Sequence, residues 1–178
     1  MVTPADQLRP AIRNVPDFPK KGVMFRDITT LLQDPGAFSK SIDLLCDHYR
    51  DRKIEKVVSV ESRGFIFGSV LAYKLHAGFV PVRKPKKLPA KTIREEYQLE
   101  YGTDALEIHT DAIKPGEHVL IVDDLIATGG TILAACNLVE RLGGVVESIA
   151  FLIELSFLHG RERLGKYDVF SLIHYESE

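Results

Sequence analysis

The chain has 178 residues, 45% of them hydrophobic, and a formal net charge of −2, which suits a single domain over residues 1–178 with one core. That near-neutral balance excludes a global attraction to nucleic acid or to a membrane surface. No stretch approaches the roughly 20 apolar residues of a membrane span, and the opening MVTPADQLRP lacks the apolar core of an export signal, so a cytoplasmic protein is expected.

In chain order, the first clear element is an amphipathic helix over residues 35–52, where Phe38, Ile42, Leu45 and Tyr49 recur at helical spacing. KVVSV (56–60) is a short β-branched strand, and residues 64–76 then return to a helical pattern. GFVPV (78–82) is a second strand, with Pro81 better suited to its end than its middle. Next comes a different period. Tyr97, Leu99 and Tyr101 alternate with Glu96, Gln98 and Glu100, and beyond Gly102 the residues Leu106 and Ile108 alternate with Glu107 and His109. Period two on both sides of a glycine predicts an antiparallel hairpin with one wet face, projecting from the rest. HVLIV (118–122) is an unbroken apolar run, as expected of a strand buried on both faces. A helix over 132–142, stopped by Gly143 and Gly144, leads to strands over 145–153 and 169–173. Strands alternating with helices predict an α/β fold whose mainly parallel sheet is flanked by helices. Cys46 and Cys136 each sit among apolar residues and read as buried thiols in a reducing compartment. The six His residues are scattered without metal-ligand spacing and read as structural.

The segment VLIVDDLIATGGT (119–131) concentrates chemistry. A buried strand delivers Asp123 and Asp124 to the carboxyl edge of the sheet, where open α/β folds bind ligands. Ala127, Thr128, Gly129, Gly130 and Thr131 follow. Their small side chains let an anion approach backbone N–H groups at a helix start, and the two threonines add hydroxyl donors. The acids repel a phosphate and suit sugar hydroxyls or a hydrated cation. A turn with Gly-Gly is common in itself; the acids, hydroxyls and glycines together are far more specific. The spacing matches neither a Walker A loop nor a dinucleotide fingerprint.

VLIVDDLIATGGT closely resembles the phosphoribosyl diphosphate signature of the type I phosphoribosyltransferases. The resemblance implies that fold, with an N-terminal hood (about 1–34) and a flexible β-hairpin lid (about 84–110). It implies that Asp123 and Asp124 hold the ribose hydroxyls and that residues 127–131 hold the 5′-phosphate of the substrate or of AMP.

Four further segments resemble the adenine phosphoribosyltransferases in particular, and together they run from about Phe18 to Glu176. FPKKGVMFRDIT is similar to that family's purine hood, which implies stacking of the base on Phe25 and backbone reading by Met24 and Arg26. Leu155, at the end of a later strand, then packs on the base's other side. ESRGF (61–65) resembles the diphosphate loop, which implies a cis peptide between Glu61 and Ser62 and contacts from Ser62 and Arg63. Six of the chain's 23 basic residues fall within 83–94, without an acid among them. By resemblance Arg83, Lys84 and Lys87 contact diphosphate. Glu100 corresponds to the acid/base carboxylate, and Tyr101 to the lid. The family usually has Pro where Lys21 stands and Gly where Lys86 stands. Read without the family, Phe25 is a core aromatic and Glu100 a solvent-facing acid; Lys clusters are commonly solvated, but the phosphate loop downstream makes a diphosphate the better explanation of this basic run.

The resemblance further implies adenine and phosphoribosyl diphosphate as substrates, AMP and diphosphate as products, Mg²⁺ bound mainly through the substrate with no protein metal ligand, and a homodimer. A related enzyme with another base, a non-catalytic sensor of the same diphosphate and an RNA-binding role for the basic run are the rivals. The hood sequence favours adenine. The basic run lacks interleaved aromatics, which opposes RNA.

Overall fold

Every apolar run expected to be a strand lies in one sheet. The computed structural model describes residues 5–98 and 102–177. In chain order the elements are a 3₁₀ turn (Asp6–Ala11), β1 (Arg13–Val15), β2 (Phe25–Asp27), α1 (Thr29–Gln33), α2 (Pro35–Tyr49), β3 (Lys56–Val60), α3 (Gly64–Lys74), β4 (Gly78–Val82), β5 (Thr92–Gln98), β6 (Thr103–His109), β7 (His118–Ile126), α4 (Gly130–Arg141), β8 (Val145–Leu155), two short 3₁₀ turns (Ser156–Leu158, Gly160–Leu164) and β9 (Val169–Tyr175).

The main sheet has the order β4-β3-β7-β8-β9, and every pair in it is parallel. Both of its faces are covered. One apolar cluster joins Val58, Val119, Ile121, Ile149 and Phe151 to α4, and another joins Val57, Leu120, Val122, Ala150 and Leu152 to α2 and α3. This is why strands such as β7 read as unbroken apolar runs. Pro81 is tolerated inside β4 because β4 is an edge strand of this sheet, where a missing N–H costs no ladder bond on the open side.

Helix α2 starts sharply. The Asp34 carboxylate accepts the N–H groups of Gly36 (2.8 Å) and Ala37 (3.0 Å), and Pro35 occupies the first turn. It ends at Tyr49, short of the expected residue 52. Other boundaries also moved. α3 ends at Lys74, two residues early; α4 starts at Gly130, two residues early; β8 runs on to Leu155, and β9 to Tyr175. Cys136 is buried as expected, but Cys46 is only partly so, lying at the margin of the second cluster.

β7 is the informative correction. It continues through both acids to Ile126, four residues beyond the expected end at Val122, because parallel pairing with β8 persists to Ile126↔Glu154. A polar pair that looked like a strand terminus is held inside the strand by its neighbour.

The antiparallel hairpin β5–β6 forms in register from Thr92↔His109 to Gln98↔Thr103. Its root is less of a projection than the alternation implied. Leu106 and Ile108 are fully buried in the first cluster, and Arg83 and Glu107 exchange backbone hydrogen bonds of 3.0 and 2.7 Å. The hairpin base thereby covers the open edge beside β4. The sequence reading did not foresee the small antiparallel ribbon β1–β2, whose strands are three residues each.

Candidate active site

Between β3 and β7 the sheet's connections diverge: β3 leads outward to β4, and β7 leads the other way to β8 and β9. A crevice forms at the carboxyl ends of strands at such a switch point. Here it is a cavity of about 190 Å³ lined by Arg63 and by residues 123–132.

Three glycines make this crevice possible. Gly64 opens α3 against the end of β7, where a Cβ would lie 2.7 Å from Asp123 Oδ1 and 3.1 Å from the Val122 carbonyl oxygen. Gly129 adopts φ +79° just before α4 and cannot carry a side chain without meeting the Gly160 carbonyl oxygen at 2.5 Å. Gly160, far away in sequence, presses its backbone beneath Ala127. The result is a short run of amides leading into the start of α4, an electrostatic environment for an anion.

The two acids differ. Asp124 is 4% exposed and pairs with Arg63 (Nε to Oδ2, 2.8 Å). Asp123 is partly exposed, and its Oδ1 accepts the Asp124 N–H at 2.9 Å. Burial, and then the neighbouring Asp124 charge, push the Asp123 carboxyl well above the usual carboxylate range. Burial also raises Asp124, against the pull of Arg63. The crevice thus holds concentrated negative charge that sugar hydroxyls or cations can relieve.

The basic residues expected around it are present, and three of them hold acids. Arg83 donates to Glu61 through Nε (3.1 Å) and its second terminal nitrogen (2.9 Å). Lys84 N–H donates to the same carboxylate at 2.6 Å, while its ammonium meets Asp104 at 2.8 Å. Burial works against the Glu61 charge, but these donors prevail and hold its pKa below the ordinary value. The Lys87 carbonyl accepts from Arg83 at 3.2 Å. Lys86 adopts φ +66°, and its N–H donates to Glu107 at 3.1 Å. That left-handed geometry is one that glycine adopts more readily than lysine. The Glu61–Ser62 peptide is cis, as is Phe18–Pro19.

The Phe25 ring, on β2, lies 5.1 Å from that of Phe18 and 5.5 Å from the Arg63 guanidinium carbon. It therefore borders the crevice on the hood side. The Arg26 side chain points elsewhere: it donates to Asn14 (2.6 Å) and lies 4.1 Å from the centre of the Tyr175 ring. Arg26 is 8% exposed and its Nε has no partner, so only its backbone remains for ligand reading. Met24 precedes Phe25 on the hood and is partly exposed. Leu155 ends β8 opposite Tyr175 and is partly exposed. Glu100 and Tyr101 lie outside the described residues. The hairpin below them rests on α4: Glu95 accepts from Asn137 and Arg141, each at 2.9 Å.

Among the described residues no group of three or more His, Cys, Asp or Glu converges as a metal's ligand set. Asp123 and Asp124 alone do not make one, so the residues present do not fit a protein-held cation.

Sequence reasoning missed Gly160, Arg161 and Glu154. The available signal was only Glu154 at a strand end and Gly160-Arg161 six residues on, which carry no meaning until the contacts are known.

The phosphoribosyl transferase domain model matches residues 27–176. An adenine phosphoribosyltransferase of Solibacter usitatus is 61% identical over 169 residues, covering 95% of this chain and 98% of its own. The crystal structure of adenine phosphoribosyltransferase from Thermoanaerobacter pseudethanolicus superposes with a TM-score of 0.94 at 56% identity, over 96% of this chain and 99% of that one. The Saccharomyces cerevisiae enzyme, solved with an imino-altritol bisphosphate and adenine, does so with a TM-score of 0.90 at 43% identity, over 97% and 99%. By its fold, its acid-and-glycine crevice and these near full-length likenesses, the chain belongs to the phosphoribosyl transferase family, in the adenine phosphoribosyltransferase branch.

Proposed function

We propose that the chain transfers the phosphoribosyl group of phosphoribosyl diphosphate to adenine, giving AMP and diphosphate, a purine-salvage reaction. The observation that carries this reading is the crevice at the end of β7, with two buried-edge acids followed directly by the glycine-rich turn into α4. The yeast relative, solved with adenine, supports the choice of base.

In this mechanism the C1–oxygen bond to diphosphate breaks, its electron pair leaves on the diphosphate oxygen, and an imidazole nitrogen of adenine bonds to C1. The sugar passes through a cation-like state, as in other glycosyl chemistry. Asp123 and Asp124 hold the ribose hydroxyls. The amides of residues 127–131 and the hydroxyls of Thr128 and Thr131 hold the 5′-phosphate. Ser62, Arg63, Arg83, Lys84 and Lys87 meet the diphosphate, with Arg63, Arg83 and Lys84 exchanging their acid partners for its oxygens. Phe25 and Leu155 sandwich the base, while Met24 and Arg26 read its edge through backbone groups. Glu100 takes the imidazole proton. The hairpin, with Tyr101 at its lid, closes to exclude water from the sugar cation. Mg²⁺ bound to the substrate diphosphate would supply charge neutralisation for the leaving group, with no side chain of the chain assigned as its ligand.

The chain acts as a homodimer in the cytosol. In support of the dimer, α3 and β4 present Tyr73 (82% exposed), Ile66 and Phe79 outward, with Phe65 packed edge-on against Phe79 at 5.6 Å. In support of the compartment, both cysteines are free thiols; among the described residues no helix is long and apolar enough to cross a membrane. Turnover with adenine, hypoxanthine, xanthine and uracil tests the reaction. Nucleotide formation from adenine alone is expected, and preference for a 6-oxopurine overturns the choice of base. Sedimentation equilibrium tests the dimer.

A further inference from the structure

The turn of residues 159–161 touches the anion loop more closely than any side chain could. A Cβ on Gly160 would lie 2.1 Å from the Ala127 carbonyl oxygen and 2.9 Å from the Gly129 nitrogen. A Cβ on Gly129 would lie 2.5 Å from the Gly160 carbonyl oxygen. The two glycines meet backbone to backbone, with His159 at φ +54° turning the chain into the contact.

The next residue fastens this turn to the sheet. Arg161 donates to Glu154 through Nε (3.0 Å) and a terminal nitrogen (2.5 Å), and to the Val169 carbonyl at 2.7 Å. Glu154 is buried and also accepts from the Ser171 hydroxyl at 2.7 Å. Ile126, the last residue before the loop, registers with Glu154 across β7 and β8. The loop and its support therefore hang from the same rung of the ladder. A bidentate guanidinium–carboxylate pair fixes orientation as well as distance.

An amide array binds an anion well only when its N–H groups already converge, because any adjustment on binding subtracts from affinity. We propose that Gly160, fixed by the Arg161–Glu154 pair, is a positioning residue for the 5′-phosphate: it is the floor that holds the amides of residues 127–131 in their anion-binding arrangement. This rests on the reading of that loop as the phosphate site.

The test uses ribose 5-phosphate as probe, by calorimetry, together with KM for each substrate. The variants are Gly160→Ala, Arg161→Leu, Arg161→Lys and Glu154→Gln. Gly160→Ala is expected to weaken ribose 5-phosphate binding and raise KM for phosphoribosyl diphosphate by on the order of tenfold to a hundredfold, while KM for adenine stays near wild type. Arg161→Lys, which keeps charge but loses the fork, should fall between wild type and Arg161→Leu. If Gly160→Ala fails to fold, the Arg161→Lys and Glu154→Gln variants carry the same comparison. Variants that bind ribose 5-phosphate like wild type, or that raise both KM values alike, overturn the positioning role. Wild-type protein that does not bind ribose 5-phosphate overturns the reading of the loop, and this inference with it.

Discussion

Arg63 Nε lies 2.8 Å from Asp124 Oδ2. The same guanidinium sits 5.5 Å from the centre of the Phe25 ring. One side chain at the start of α3 thus links the β7 acid to the hood. Asp124 is nearly buried and Arg63 is about half exposed, so the cation can swing away and the anion cannot. Arg63→Ala leaves the Asp124 charge uncompensated and raises its pKa further. Steady-state kinetics should show kcat/KM for phosphoribosyl diphosphate lower by on the order of 10²- to 10³-fold. Near wild-type kinetics would remove Arg63 from the mechanism.

Asp123→Asn should stabilise the protein and abolish most activity. The native Asp123 pKa stands above its ordinary value of 3.8, chiefly through burial. The folded state therefore holds this proton to higher pH than the unfolded chain does. Stability is lost as pH rises from the unfolded value through the folded one. Asparagine keeps an acceptor for the Asp124 N–H but carries no charge. The variant's Tm should exceed wild type at neutral pH, by about 2–4 °C per kcal/mol recovered, and the gap should vanish below the unfolded pKa. A lower Tm at neutral pH would contradict the burial argument.

Glu100→Gln removes a proton acceptor without changing shape. Single-turnover rates should fall by about 10²–10⁴-fold with adenine and diphosphate affinities kept. Full turnover would assign the proton to another group, with Glu96 and Glu107 as competitors.

Lys86→Gly relieves a left-handed residue at φ +66°. The strain removed, roughly 1–2 kcal/mol, exceeds the added chain entropy of glycine, about 0.5–1 kcal/mol. Urea unfolding should show a small net gain in stability. A clear loss would mean that the Lys86 side chain contributes contacts that outweigh the strain.

Ser59 and Gly68 form a packed pair between β3 and α3. A Cβ on Gly68 would sit 1.8 Å from Ser59 Oγ, and that hydroxyl is buried without a partner. Gly68→Ala should cost about 1–3 kcal/mol by overpacking. Ser59→Ala should be neutral or stabilising, because it removes an unsatisfied group. In the double variant the Ser59 Cβ, 2.9 Å away, still crowds the new methyl, so denaturant titration should recover only part of the loss.

Local pattern alone determined the parallel α/β architecture, the hairpin, and the acid-and-glycine segment after the β7 strand. Apolar periodicity and turn chemistry act between near neighbours, so they are written in short stretches of sequence. Tertiary structure alone decided where β7 ends, because pairing with β8 rather than the polarity of Asp123 and Asp124 sets that limit. It alone revealed that Gly64 must lack a side chain beside Asp123, that Arg26 turns away from the crevice, and that Gly160 with Arg161 and Glu154 underlies the loop. Each of these depends on backbone or charge meeting across a long separation in sequence, where no local preference carries information about the partner.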